Sequence, residues 1–506
     1  MQQILMMEQN RYRILTTGKD DINKMKVLEN LQPASVFKYF EEITQIPHGS
    51  KNVEKISNYL VDFAKEHNLK YIQDESKNVI IFKDASEGYE NADTVIIQGH
   101  MDMVAVKEAD CNKDMEKEGL DLEVNGDYIS AKGTSLGGDD GIAVAMALAI
   151  LDDDSIKHPA IEAVFTVDEE IGMLGAAALD TSVLKGKILL NADSEDEGVF
   201  TVSCAGGGTV ECKVPFQHEP VNGQIFEIKL DQFTGGHSGA EIHLGRANAN
   251  VALGRILLNL VQNMDIRIIS INGGEKDNAI AKLSEAAIAV LPENVDKVKQ
   301  IVEETFEEIK DEYKHTDPDM RLTTNVLPSQ VLDVATVPTT IRAIMTLVNM
   351  PHGVQKMSHD VEGLVQTSLN LGVLRTNKDD IIFTYSVRSS KASEKKYLIE
   401  KIRSLADLLG EEISISGEYP AWEYVENSKV RDIMVDVYKE IYGKEPIVEG
   451  IHAGLECGIF SSKLEGLDCI SFGPQMHDIH TTKEVLSIAS TERTWKLLLK
   501  TLERLK

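Results

Sequence analysis

At 506 residues the chain exceeds the size at which a single hydrophobic core stops growing, so two or three structural units are expected. Its residues are 42% apolar and 26% charged, as in a globular protein; no apolar run approaches the ~20 residues that cross a bilayer, which excludes a membrane span. A net charge of −30 with scattered Lys and Arg excludes a nucleic-acid partner, and five cysteines without CxxC spacing (Cys111, Cys204, Cys212, Cys457, Cys469) point to reduced thiols in the cytoplasm rather than a disulfide framework or a Cys-ligated zinc.

Residues 1–24 lack the continuous apolar stretch and small-residue cleavage site of a secretory signal. A more natural beginning is Met25, just before the helix-like PASVFKYFEEI, so residues 1–24 are expected to be a poorly ordered extension. Amphipathic patterns at 35–46 and 53–68 predict helices. Then come short apolar runs, each ending in polar residues, that read as buried strands: 94–98 before GHMD, 161–167 before DEE, 187–191 before ADSE and 468–472 before GPQMHDIH. Between the first two lies GGDDG, followed by the helix-like IAVAMALAIL. Strands alternating with helices predict a doubly wound α/β domain with a mixed sheet, whose ligands bind at the carboxyl ends of its strands.

Three of the runs precede Gly206 and the fourth returns near the C-terminus, so the sheet is expected to be interrupted. The predicted division is a catalytic domain over 25–206 and 411–506, with an inserted α+β lid or dimerisation domain over 207–410. Within the insert, strand-like runs at 209–216, 226–230 and 381–388 mix with helices at 248–262, 294–313 and 393–409. This reads as an antiparallel sheet with helices on one face, or as two copies of such a unit.

The chemistry-bearing residues fall at the strand ends. In GHMDM, an extended backbone sends His100 and Asp102 to the same side, where His100 could ligate a metal and Asp102 could orient a neighbour. In SLGGDDG, Asp139 and Asp140 stand at the entrance to a helix; each suits a cap, and Asp139 could also bridge two cations. FTVDEEIG crowds three acids after a strand, a costly arrangement unless cations or protons relieve it. Adjacent Glu169 and Glu170 could divide the work, one held by a metal and the other taking a proton from water. Asp193 and the pair His477 and His480 follow at later strand ends. Taken singly these are weak signals, but together they form a nitrogen and oxygen ligand set suited to zinc, with manganese and cobalt as alternatives.

GHMDM, LGGDDGIAVA, DEEIG, LNADSE, GGHSGAEIHLGRANA, HAGLECG and HDIHTTKE, in this order, resemble the zinc-dependent exopeptidases related to carboxypeptidase G and aminoacylase. The long GGHSG segment and HAGLECG look most like their aminoacyl-histidine dipeptidase branch. The resemblance implies one zinc held by His100, Asp139 and Asp193, and a second by Asp139, Glu170 and His480, with the HTTKE context favouring His480 over His477. It implies Glu169 as general base, Asp102 orienting the site from behind the ligands, and His237 stabilising the oxyanion as a lid closes, from its own chain or a partner's. Arg388 in YSVRSS resembles the arginine that grips a substrate carboxylate, and Asn248 and Glu456 are further substrate-contact candidates.

The function expected from these residues is hydrolysis of short peptides, most of all Xaa-His and other dipeptides. The expected nucleophile is a water shared by two cations roughly 3.5–4 Å apart and activated by Glu169. A tripeptidase or an N-acyl-amino-acid deacylase of the same group is the near alternative; a non-catalytic metal-dependent binding protein is the distant one, and it has no use for Glu169 beside a complete ligand set. A homodimer is the expected assembly.

Overall fold

The computed structural model describes residues 26–506, so the extension expected at 1–24 lies outside the described residues. The chain forms two compact units. The first comprises residues up to Phe200 together with Ser428–Val448 and Leu464–Lys506; the second comprises Thr201–Asn427 and Glu449–Lys463. The second unit overlaps the insert expected at 207–410, running from Thr201 to Asn427 with a short second excursion at Glu449–Lys463. The first boundary falls inside the strand Val199–Cys204, where no turn residue marks it. At the other end, the strand Glu412–Tyr419 pairs with Gly206–Pro215 and so belongs to the insert's own sheet. The excursion is held by the Ala205 amide, which donates to the carbonyls of Ile451 and Ala453.

In the first unit a mixed sheet runs in the order Lys70–Gln73, Val79–Lys83, Ile161–Thr166, Val95–His100, Ile188–Asn191, Asp468–Ser471. The last four are mutually parallel, and Val79–Lys83 is antiparallel to both of its neighbours. Every residue of Ile161–Thr166, Val95–His100 and Ile188–Asn191 is buried, as expected of strands covered on both faces, which is why the sequence shows them as largely apolar runs; buried Glu162 is satisfied by the amides of Lys185 and Gly186. The helix Gly138–Asp152 is buried from Gly138 to Leu151, which accounts for its lack of a polar face. It packs on Val95–His100 and on the helix Ala34–Thr44. A small second sheet joins Leu122–Asn125 and Tyr128–Ala131 to the C-terminal strands Val485–Ser487 and Met476–His477.

In the second unit an antiparallel sheet follows the order Arg321–Ala335, His218–Asp231, Ser284–Val290, Arg267–Gly273, Val365–Thr376, Asp380–Ser389, Gly206–Pro215, Glu412–Tyr419, with Gly353–Met357 also paired to Val365–Thr376. One hydrophobic core joins this sheet to the helices Ala249–Asn263, Val295–Glu312, Val337–Asn349 and Ala392–Leu409. The strand order reads as two four-strand halves mirrored about the junction of Arg267–Gly273 with Val365–Thr376, each half using two of the helices. Among the described residues no helix is long and apolar enough to cross a membrane.

Candidate metal centre

The parallel strands of the first unit end side by side, and their ends carry the acids and imidazoles singled out in the sequence. His100 closes the strand Val95–His100, Glu169 and Glu170 follow Ile161–Thr166, and Asp193 follows Ile188–Asn191. Asp139 stands where the helix Gly138–Asp152 begins; it and Asp140 keep non-helical dihedrals, and the peptide between them is cis. His480 comes from the loop between the strands Met476–His477 and Val485–Ser487, with a left-handed φ of 60°.

Two ligand triads result. His100, Asp139 and Asp193 form one, and Asp139, Glu170 and His480 the other, with the ligand atoms of each within 4.8 Å of one another. Asp139 is common to both, and its two oxygens face opposite ways. His100 Nε2 lies 3.1 Å from Oδ1, and His480 Nε2 lies 3.1 Å from Oδ2. Asp193 Oδ1 stands 3.6 Å from His100 Nε2, and Glu170 Oε2 stands 3.0 Å from His480 Nε2. His477 lies outside both triads and packs its ring beside that of Tyr128.

The surroundings fix the orientation of these groups. The Asp102 carbonyl lies 2.9 Å from His100 Nδ1, so Nδ1 carries a proton and Nε2, which faces the carboxylates, is the nitrogen that could ligate a cation once its own proton is displaced. The Asp102 carboxylate accepts from the Glu169 amide at 3.0 Å and from the Ser50 hydroxyl at 2.8 Å, tying the His100 strand to the acidic turn. Burial alone would raise Asp102, but His100 and these donors hold it below the usual carboxylate range. Asp140 is fully buried and accepts from the His100 amide at 3.2 Å, so its role is to brace the His100 strand. Burial raises its carboxyl well above the usual range, with Asp193 adding to the effect.

The charge balance of the site calls for cations. Burial pushes Asp193 up to about 6 and Glu195 up to about 7, and in both cases neighbouring carboxylates add to the rise. Asp139 and Glu170 hold the His480 imidazole up to about 10. Burial would lower His100, but Asp102, Asp139 and Asp193 raise it well above its ordinary value. Glu170 Oε1 is buried without a hydrogen-bond partner, as suits a carboxylate whose partner is an ion. Donor types, spacing and this orphaned oxygen together fit a pair of divalent cations. Glu169 belongs to neither triad, is part-buried and sits next to Glu170.

The other sequence candidates belong to the second unit. His237 Nδ1 accepts from the amides of Gly239 and Ala240 at 3.3 and 3.0 Å. An amide can only donate, so the proton of the neutral ring sits on Nε2. Burial and then Arg388 lower its pKa, which keeps the ring neutral. Arg388 is 8% exposed; it donates to the Tyr419 hydroxyl at 2.7 Å, while its Nε is buried without a partner. Asn248 caps the helix Ala249–Asn263, accepting from the amides of Asn250 and Val251, and donates to Asn370 and the Leu371 carbonyl. Glu456 is fully buried at the start of the helix Glu456–Lys463.

Sequence reasoning passes over Ser50, whose hydroxyl donates to Asp102, Glu195, which stands near Asp139 and Asp193, and Glu484, which accepts from the backbone amides leading into Asp139. Glu195 and Glu484 lie inside quoted motifs, whereas PHGS around Ser50 carries no signal of its own.

The chain is 35% identical over 485 residues to the cytosol non-specific dipeptidase of Escherichia coli (strain K12), covering 95% of this chain and 99% of that one. It is similar, with a TM-score of 0.88 and 35% identity, to the crystal structure of an aminoacylhistidine dipeptidase from Vibrio alginolyticus, over 96% of this chain and 99% of that one. At 15% identity and a TM-score of 0.55, aminopeptidase PepT from Bacillus cereus shares the fold over 94% of this chain and 99% of its own. The model of peptidase family M20/M25/M40 matches residues 96–504. That match begins in the strand presenting His100 and runs past His480, so every member of both triads lies inside it, and the chain belongs to peptidase family M20/M25/M40.

Proposed function

We propose that this chain is a cytoplasmic two-zinc dipeptidase that cleaves Xaa-His and other dipeptides with Glu169 as general base. The observation that carries the reading is Asp139, whose two oxygens each face a different histidine in a different triad. The substrate class is carried over from the relatives at 35% identity, a non-specific dipeptidase and an aminoacylhistidine dipeptidase. Zinc is favoured by the mixed imidazole and carboxylate donors.

His100, Asp139 and Asp193 would hold one cation, and Asp139, Glu170 and His480 the other. Divalent cations bound there supply Lewis acidity, polarising a carbonyl and bringing the pKa of water towards neutrality. The remaining work falls to the chain's own groups. Asp102, through the Glu169 amide, fixes the backbone from which the base projects. Glu169 takes the proton of the attacking water and returns it to the leaving nitrogen as the peptide bond breaks. His237 is the proposed oxyanion donor, a role supported by its neutral ring with the proton on Nε2. Arg388 is the proposed grip on the substrate carboxylate; its burial with an orphaned Nε supports an anionic partner. Asn248 and Glu456 remain proposed substrate contacts of the second unit.

The proposed assembly is a homodimer formed through the second unit. Its edge strand Arg321–Ala335 supports this, since Val331 is 75% exposed there beside backbone groups that no further strand covers among the described residues.

The test of function is hydrolysis of a panel of Xaa-His dipeptides, other dipeptides, tripeptides and N-acyl amino acids by metal-stripped enzyme reloaded with zinc, manganese or cobalt. Dipeptides are expected to turn over fastest with zinc. Faster tripeptide or acyl-amino-acid cleavage would replace the reading, and full metal loading with no turnover of any member would make the protein a binder.

A pH dependence follows from the raised imidazoles. Protons occupy His480 below its pKa of about 10, so an entering cation must displace them. Metal affinity is therefore expected to rise with pH, by about tenfold per unit for each proton released. Chelator competition at several pH values measures this, and a flat profile would exclude His480 as a ligand.

A further inference from the structure

The loop that presents His480 ends on a carboxylate that the proposed reaction does not use. Glu484 is 3% exposed. Its Oε2 accepts from the amides of Leu136 and Gly137 at 2.8 and 3.0 Å, and its Oε1 from those of Gly138 and Asp139 at 2.8 and 3.4 Å. Four consecutive amides thus converge on one side chain, an arrangement by which backbone concavities capture anions. Here the anion is the protein's own. Gly137 turns with φ 69° to bring the amides together, and a Cβ on Gly138 would stand 3.3 Å from Oε1 and 3.1 Å from Met476 Sδ, so the close approach depends on that bare Cα.

The consequence lies one residue further along. The fourth donor is the amide of Asp139, the residue shared by both triads, and Asp139 and Asp140 lack helical dihedrals, so the regular helix does not hold them. At the other end of the contact, Glu484 lies four residues after His480 in the same loop. A single side chain therefore ties the backbone carrying the bridging carboxylate to the backbone carrying the histidine it faces.

We propose that Glu484 is a positioning residue of the metal centre, whose carboxylate clamps the amides of 136–139 and so holds Asp139 in its bridging pose opposite His480. This rests on the reading that Asp139, Glu170 and His480 hold a cation. Groups that orient metal ligands from behind typically contribute ~10–100-fold to metal affinity. A carboxylate that merely closed a hairpin would affect folding stability and leave metal affinity unchanged.

The experiment is a zinc titration of metal-stripped, full-length Glu484→Gln by chelator competition, alongside the unmodified enzyme, with kcat and KM for a dipeptide at limiting and excess zinc. Glutamine keeps the shape but places an amide group against amide donors. The expected result is a folded protein that binds its weaker ion at least ~10-fold less tightly. Its kcat should be low at limiting zinc and restored in large part by excess zinc, with KM within about twofold of the unmodified value, since the substrate contacts are untouched. A folded E484Q with unchanged zinc affinity overturns the proposal, as does a kcat loss that excess zinc does not relieve at unchanged affinity. If E484Q does not fold, Glu484→Asp decides, because it keeps the charge but shortens the reach. Weaker zinc binding by folded E484D supports the proposal; unchanged binding, or failure of both variants to fold, overturns it. Should the unmodified enzyme itself fail to bind two zinc ions, the ligand assignment has failed instead.

Discussion

Glu169→Gln is expected to retain both metal ions and a native unfolding profile while losing at least ~100-fold in kcat, the ordinary cost of removing a general base. The geometry separates these outcomes. Glu169 lies outside both triads, so its carboxylate is not needed to hold an ion, and its backbone amide, which donates to Asp102, survives the substitution. Glutamine preserves the volume but cannot take a proton. Metal analysis by mass spectrometry, with steady-state rates on a dipeptide, measures both quantities on one preparation. A metal-loaded E169Q with full turnover would move the base elsewhere, and a metal-depleted one would make Glu169 a ligand.

Asp139→Asn is expected to show the opposite pattern, with metal lost along with activity. Both carboxylate oxygens are engaged, one toward each histidine, and an amide offers only one oxygen and no charge. The variant should bind fewer than two ions per chain, and its activity should fall by more than the ~10–100-fold seen when outer partners of a ligand are removed. The same substitution removes the first of the two carboxylates that hold His480 up, so the His480 pKa should fall from about 10, as proton NMR of the imidazole would report. Two tightly held ions in D139N, with substantial activity, would end the bridging role.

The parts of this molecule legible in the sequence were those whose physics is local. Ile161–Thr166 and Ile188–Asn191 are legible because strands buried on both faces are dominated by apolar residues, and their ends lead to Glu169, Glu170 and Asp193. Helices such as Val295–Glu312 and Ala392–Leu409 were visible through their amphipathic spacing. The strand Arg321–Ala335 has no sequence signal because it lies at an edge, is largely exposed, and its apolar residues come in short pairs broken by polar residues and Pro328. Glu449–Lys463 could not be assigned to the insert, since its place depends on hydrogen bonds to Ala205, nearly 250 positions away. The ligand set was readable as residue types at strand ends and through family resemblance. That Asp139 turns one oxygen to each histidine, and that Ser50 and Glu484 brace the centre, are facts of three-dimensional approach that spacing does not encode.

The placement of Asp468–Ser471 beside Ile188–Asn191 has a consequence for biosynthesis. Until that late strand is translated, Ile188–Asn191 is an open sheet border, and His480 does not yet exist. At ~5–20 residues per second, the roughly 290 positions from Asp193 to His480 take about 15–60 s to emerge. During that interval a nascent chain carries His100, Asp139 and Asp193 but not His480. The grouping of Asp139, Glu170 and His480 is therefore complete only once translation has passed residue 480.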